Sequence, residues 1–323
     1  MTGFSLIRCM AALGAALTVG SVTLGSAQEP AASPGVPVSL ESTYEHRLRS
    51  PLTGREFVIW VSLPPSYNAT TEASRRWRTL YLLDGRQSLQ LALPILRLTN
   101  RGPSGDMILV GVGYPLDARG LPSCGALLCR DVDYIPPPFG GPTPTAGSGS
   151  PPGGADVFLR VLKEEIIPLV EARYRTSSDR GLFGYSQGAL FAMYSLFEAP
   201  DLFIRYAAVS PGGFNWDVEA MLRRERAFRE RTPTLQKVLY MSVGAAEAPY
   251  FIADTWRMIG AMCDGMFSAK AYRGLTLLAA IHPDEEHRSV VYIARALGAL
   301  YPPDTSRILR APVRSMDTHC VRK

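Results

Sequence analysis

Along the chain, short continuous apolar runs alternate with longer stretches in which apolar residues recur every three or four positions. "RTLYLLDG", "MILVGVGYP", "RGLFGYS", "YAAVSPGG", "KVLYMSVG" and "GLTLLAAIH" are the runs, and each closes on Gly, Asp, Ser or His. A continuous apolar run predicts a strand buried on both faces, as in a parallel sheet covered by helices. "TYEHRLRS" (Thr43 to Ser50) and "REFVIWVSLPPSY" (Arg55 to Tyr67) predict a strand pair joined at "PLTG". Helical periodicity marks Gly154 to Tyr174, with Val157, Val161, Leu162 and Ile166 on one stripe. It recurs in "QGALFAMYSLFEAP", "APYFIADTWRMIGAM" and "HRSVVYIARALGALY". Strands alternating with helices predict an α/β fold: a doubly wound, mostly parallel sheet with helices on both faces.

Two regions break the pattern. Met1 to Arg8 carries one positive charge, and the uncharged Met10 to Ala27 follows, with Gly25 and Ala27 at the positions a signal peptidase reads. Residues 1–27 therefore read as a secretory signal peptide cut before Gln28, and 28–40 as a flexible Pro/Ala/Ser-rich leader. The expected location is export, periplasmic or secreted. Residues 41–323 then form a single domain. Within it, "IPPPFGGPTPTAGSGSPPGG" (135–154) holds no regular pattern and reads as a lid or a surface insertion.

Composition narrows the function less. With 46% hydrophobic and 20% charged residues the chain is ordinary globular material. Its formal charge is +5, and the densest basic stretch, Arg223 to Arg231, is interleaved with Glu. That stretch reads as a solvated helix face, which argues against a nucleic-acid arm. Loss of Cys9 with the signal leaves Cys124, Cys129, Cys263 and Cys320, which permits two disulfides in an exported protein. Of the three connectivities, Cys124 with Cys129 would close a small loop and Cys263 with Cys320 would tie the C-terminal tail to the body; four free or buried thiols are the alternative. No Cys/His spacing suggests zinc.

The chemistry is concentrated in Gly184-Tyr185-Ser186-Gln187-Gly188, which fits G-x-S-x-G between an apolar run and a helical one. In that setting a serine sits on a tight strand-to-helix turn, and side chains at either flanking glycine are expected to collide with neighbouring backbone. A serine hydroxyl needs a neighbouring base. Of the four histidines, His46 precedes the serine and His319 lies in the tail, whereas His282 and His287 both follow the last apolar run. His287, after the acidic loop "PDEE", is the preferred base and His282 the alternative. The orienting acid is expected after "KVLYMSVG": Glu247 first, then Asp254, with a Ser–His pair as the remaining option. Oxyanion donors are expected at the N–H of Gln187 and at Gly85 or Arg86 in the loop after "YLLDG". Asp84 is expected to hold that loop through local hydrogen bonds to N–H groups, and Arg86 could also meet an anionic substrate.

These stretches, with "VSLPPSYN", "VGVGYP", "RDVDYIPP" and "VSPGGFNWD", resemble the enterochelin esterase-like and esterase D superfamily of α/β-hydrolases, which also holds some feruloyl esterases. The likeness runs through nearly all of the chain after the leader and is greatest to a bacterial branch acting on siderophore esters. It implies an α/β-hydrolase fold with Ser186 as nucleophile, His287 as base and Glu247 as acid. Arg130, Trp216 and Tyr185 are implied at the substrate, Arg130 having as its other reading a salt bridge to Asp131 or Asp133. The function so implied is a serine carboxylesterase working through an acyl-enzyme without metal or cofactor. Its partner is a small-molecule ester, neither nucleic acid nor, once the signal is cut, a membrane; the oligomeric state is left open. A thioesterase, a feruloyl-type esterase and a non-catalytic binding protein on this scaffold are the competing readings.

Overall fold

The computed structural model describes residues 39–99, 106–120, 122–123, 128–138, 153–212, 217–232, 234–267, 272–287, 289–302 and 318–320. Residues 1–27, nearly all of the leader and residues 139–152 of the Gly/Pro-rich loop lie outside them. The elements fall in one unit, Leu40–Lys323.

Among the described residues, nine strands form one sheet in the order β1-β2-β4-β3-β5-β6-β7-β8-β9. The strands β1 (Thr43–Arg49) and β2 (Glu56–Ser62) make the antiparallel pair that the "PLTG" turn predicts. The central strands are β3 (Trp77–Leu82), β4 (Ile108–Gly113), β5 (Thr176–Tyr185), β6 (Arg205–Val209), β7 (Val238–Gly244) and β8 (Thr276–His282). They pair in parallel, and the short β9 (Thr318–Cys320) adds antiparallel to β8.

Helices cover both faces. On one lie α1 (Gly85–Thr99) and α8 (Ser289–Leu300), packed on Leu80, Leu82, Phe183 and Val209. On the other lie α2 (Leu128–Tyr134), α3 (Ala155–Arg160), α4 (Ile167–Arg173), α5 (Gln187–Glu198), α6 (Val218–Arg231) and α7 (Pro249–Phe267), over Tyr81, Leu83, Leu182 and Ala208. Successive strand residues point to opposite faces, so continuous apolar runs supply two cores at once. Every residue of α5 from Gln187 to Phe197 is buried. A helix this apolar belongs inside the protein, and it seats the chain just after Ser186.

Four local expectations change. The helix predicted over 154–174 passes through a π-type turn, Val161–Ile166, between α3 and α4. Pro168 explains it: its ring lacks an N–H and crowds the carbonyl four residues back. Val157 does not share the buried stripe; it is exposed, and Phe158 and Leu159 are buried instead. The Arg223–Arg231 stretch is not a wholly solvated face. Arg224 is buried with Glu198 Oε1 at 2.5 Å, and the buried Glu225 accepts from Tyr272 Oη at 2.9 Å. Finally, "GRQS" is the first turn of α1 and not a loop, although Pro94 sits inside that helix.

Candidate active site

Ser186 lies between β5 and α5 with φ +57° and ψ −120°. A non-glycine residue with positive φ is strained, and here the neighbouring packing holds it. Ser210 after β6, Asp84 after β3 and Asp284 after β8 share the feature, with φ of 47°, 51° and 60°. Apart from Ser42 before β1 (φ 50°), these strained residues lie at the carboxyl ends of the parallel strands, where open α/β sheets place ligands.

The two glycines around Ser186 have different jobs. A Cβ on Gly184 would lie 2.0 Å from the carbonyl oxygen of Gly188, so the close approach admits only glycine. A Cβ on Gly188 would meet nothing nearer than Leu83 at 3.5 Å, an ordinary contact. The collision expected on both sides exists on one.

The buried Ser186 Oγ lies 3.0 Å from His287 Nε2. His287 Nδ1 lies 2.6 Å from Glu247 Oε2. The network sets the tautomer: Nδ1–H donates to the carboxylate, and Nε2 accepts from the serine. Three further donors reach Glu247 Oε1: the Ser210 hydroxyl at 2.6 Å, the Gly244 N–H at 2.7 Å and the Tyr292 hydroxyl at 3.0 Å. Burial pushes the Glu247 carboxyl up, but the hydrogen bonds from His287, Ser210 and Gly244 outweigh it and hold the group below its ordinary value. Tyr185 and Phe251 flank the imidazole, with ring centroids 4.9 and 4.7 Å away.

The alternatives sit elsewhere. Asp254 lies on α7 beside Arg257, at 3.8 Å. His282 ends β8 with Nε2 2.9 Å from the Tyr240 hydroxyl, and His46 meets Tyr174 at 2.6 Å. Trp216 and the His319 side chain lie outside the described residues.

Gln187 and Gly85 are the first residues of α5 and α1, so their N–H groups have no intrahelical partner. A Cβ on Gly85 would lie 2.3 Å from the Val112 nitrogen, which explains the glycine there. The Asp84 side chain does not tie this turn through N–H groups as expected. Its carbonyl oxygen accepts from the N–H groups of Gln87 and Ser88, while its carboxylate takes Arg130 Nε at 2.8 Å. Arg130 Nη2 also donates to the carbonyl of Tyr185 at 3.2 Å, so this cation braces the turn before Ser186. It pairs with neither Asp131 nor Asp133: Asp131 accepts from Gln187 Nε2, and Asp133 takes Arg55. Ser210, Tyr292 and Phe251 were not singled out from the sequence. The signal for Ser210 was there, in "VSPGG" at the end of an apolar run; Tyr292 and Phe251 carry none beyond helical spacing.

A family model described as "Putative esterase" matches residues 140–247, a span that holds Ser186 and Glu247 and stops before His287. The chain is 33% identical over 204 residues to the siderophore enterobactin esterase of Emericella nidulans, covering 59% of this chain and 65% of that one. The chain is thus similar to this family of esterases over about a third of its length by the family model. It is also 30% identical over 203 residues to the siderophore triacetylfusarinine C esterase of Aspergillus fumigatus, covering 60% of this chain and 63% of the relative. The chain thus spans a little under two thirds of the length of these curated relatives. Both are fungal, so the likeness extends beyond the bacterial branch. Among solved structures, the BES protein of Bacillus cereus has the same α/β-hydrolase fold, with a TM-score of 0.68 at 21% identity over 83% of this chain and 99% of that one.

Proposed function

We propose that the protein is an exported serine hydrolase that cleaves carboxylic esters, with siderophore-type esters as its substrate class. The observation that carries this reading is the continuous relay from Ser186 Oγ through His287 to Glu247, at 3.0 and 2.6 Å. Ser186 attacks the ester carbonyl while His287 Nε2 takes its proton. The N–H groups of Gln187 and of Gly85 or Arg86 face the developing oxyanion, each such donor being worth about 3 kcal/mol. Collapse expels the alcohol, which receives the proton from His287 and leaves an acyl-Ser186. Water, deprotonated by the same imidazole, then releases the acid and restores the serine. Glu247 fixes the tautomer and supports the imidazolium. Tyr185, Arg130 and Trp216 are assigned to the substrate side.

The substrate class rests on the two siderophore-esterase relatives. Turnover of a catecholate siderophore lactone, p-nitrophenyl butyrate, an acyl thioester and a feruloyl-sugar ester by mature protein tests it. The reading expects the highest kcat/KM on the lactone; preference for the thioester or the feruloyl ester would replace it.

Export and the disulfides belong to the same proposal. Cys129 is buried in the core, Cys263 lies on α7 against it, and Cys320 pairs through its main chain with Leu277. N-terminal sequencing of exported protein is expected to begin at Gln28, and the denatured, unreduced protein to titrate no thiol.

A further inference from the structure

A cleft of about 340 Å³ opens beside the first turn of α1, lined by Trp60, Gly85, Arg86, Tyr114 and Arg130 among others. It adjoins the relay without containing it: Gly85 is an oxyanion candidate, and Arg130 touches the carbonyl of Tyr185.

The polar tips of its two aromatic side chains are already satisfied. The Trp60 indole N–H donates to Glu45 Oε2 at 3.1 Å, and the Tyr114 hydroxyl to Asp133 Oδ2 at 2.9 Å. The Arg130 charge is met by Asp84 at 2.8 Å. A Cβ on Gly113 would lie 3.0 Å from Cζ3 of Trp60, so the glycine lets that ring lie against the end of β4. Trp60 and Tyr114, together with Leu116 and Pro122, therefore supply the cleft's apolar lining.

Arg86 is different. It is exposed on the rim and has no ion-pair or hydrogen-bond partner among the described residues. Asp84, held by Arg130, is the lone acid lining the cleft among them. The cleft thus combines an apolar lining with one cation that has no partner among the described residues, and guanidinium groups pair well with planar anions.

We propose that this cleft is a substrate subsite for a flat aromatic group bearing a negative charge, with the Arg86 side chain as its anion contact. The inference rests on the hydrolase reading in placing that group on an ester held at Ser186.

Two ester pairs test it: p-nitrophenyl benzoate against its 4-carboxybenzoate counterpart, and phenyl acetate against 4-carboxyphenyl acetate. In at least one pair the wild type is expected to favour the charged member in kcat/KM by about tenfold at low salt. That ratio should fall towards one in 0.5 M NaCl and in Arg86→Gln, and largely persist in Arg86→Lys. A wild-type ratio near or below one in both pairs, or a ratio unchanged in Arg86→Gln, overturns the subsite. If no ester is hydrolysed, the hydrolase reading fails and the subsite is read alone, from benzoate binding to Ser186→Ala by saturation-transfer NMR. Binding that Arg86→Gln in the same background abolishes supports the subsite; no binding overturns it.

Discussion

The hydroxyl of Tyr292 stands 3.0 Å from Glu247 Oε1 and 2.7 Å from the carbonyl oxygen of Glu286, the residue before His287. One side chain on α8 therefore touches both the acid and the segment that carries the base. Tyr292→Phe keeps the packing and removes the link. We expect kcat to fall about tenfold, corresponding to about 1.4 kcal/mol for a hydrogen bond to a charged group, with KM nearly unchanged. Steady-state kinetics on a p-nitrophenyl ester reads the split. A rise in KM at constant kcat would assign Tyr292 to substrate binding instead.

The two elbow glycines should respond in opposite ways. Gly184→Ala drives a methyl into the Gly188 carbonyl and should cost about 3 kcal/mol or prevent folding. Gly188→Ala places its methyl at contact distance from Leu83, in the first turn of α5, and should be neutral or stabilising by up to about 1 kcal/mol. Urea midpoints of the two variants make the comparison.

Arg130 and Asp84 form a largely buried pair, with side chains 21% and 16% exposed. Removing only the cation strands the carboxylate beneath the oxyanion turn. Arg130→Ala should cost about 3 kcal/mol, and adding Asp84→Asn should recover part of it. A double-mutant cycle on unfolding free energies measures the coupling; additivity would mean that the pair does not brace the turn.

Glu247 links stability to pH. Its carboxyl is held below the ordinary value near 4.5 in the folded state. The folded state therefore binds the proton less tightly than the unfolded chain, so the stability contributed is present above pH 4.5 and is lost as pH falls through the folded value. Glu247→Gln should be less stable than wild type at pH 6, and the gap should narrow below pH 4.5. Denaturation midpoints from pH 6 to pH 3.5 follow it.

Much of this is legible in the sequence. The apolar runs gave the parallel strands because their faces are both buried, and chain order placed Ser186, Glu247 and His287 after β5, β7 and β8. What stayed hidden depends on contacts between distant segments. Asp84 looked like a turn residue because its partner, Arg130, lies 46 positions away. Gly184 and Gly188 looked alike because only the path of α5 decides which one faces a carbonyl. The burial of Arg224 and Glu225 could not be read from a charged run, since it needs Glu198 and Tyr272 as neighbours. α1 was missed because Pro94 argues locally against a helix that the sheet nonetheless supports.

The central claim is that His287 activates Ser186. Intact-mass analysis of mature wild type, Ser186→Ala and His287→Ala after exposure to a fluorophosphonate tests it most directly. The account predicts one covalent adduct on wild type, mapped to the peptide containing Ser186, none on Ser186→Ala, and labelling slowed at least about a thousandfold in His287→Ala. Labelling of Ser186 at an undiminished rate without His287, or no adduct on wild type, would contradict it.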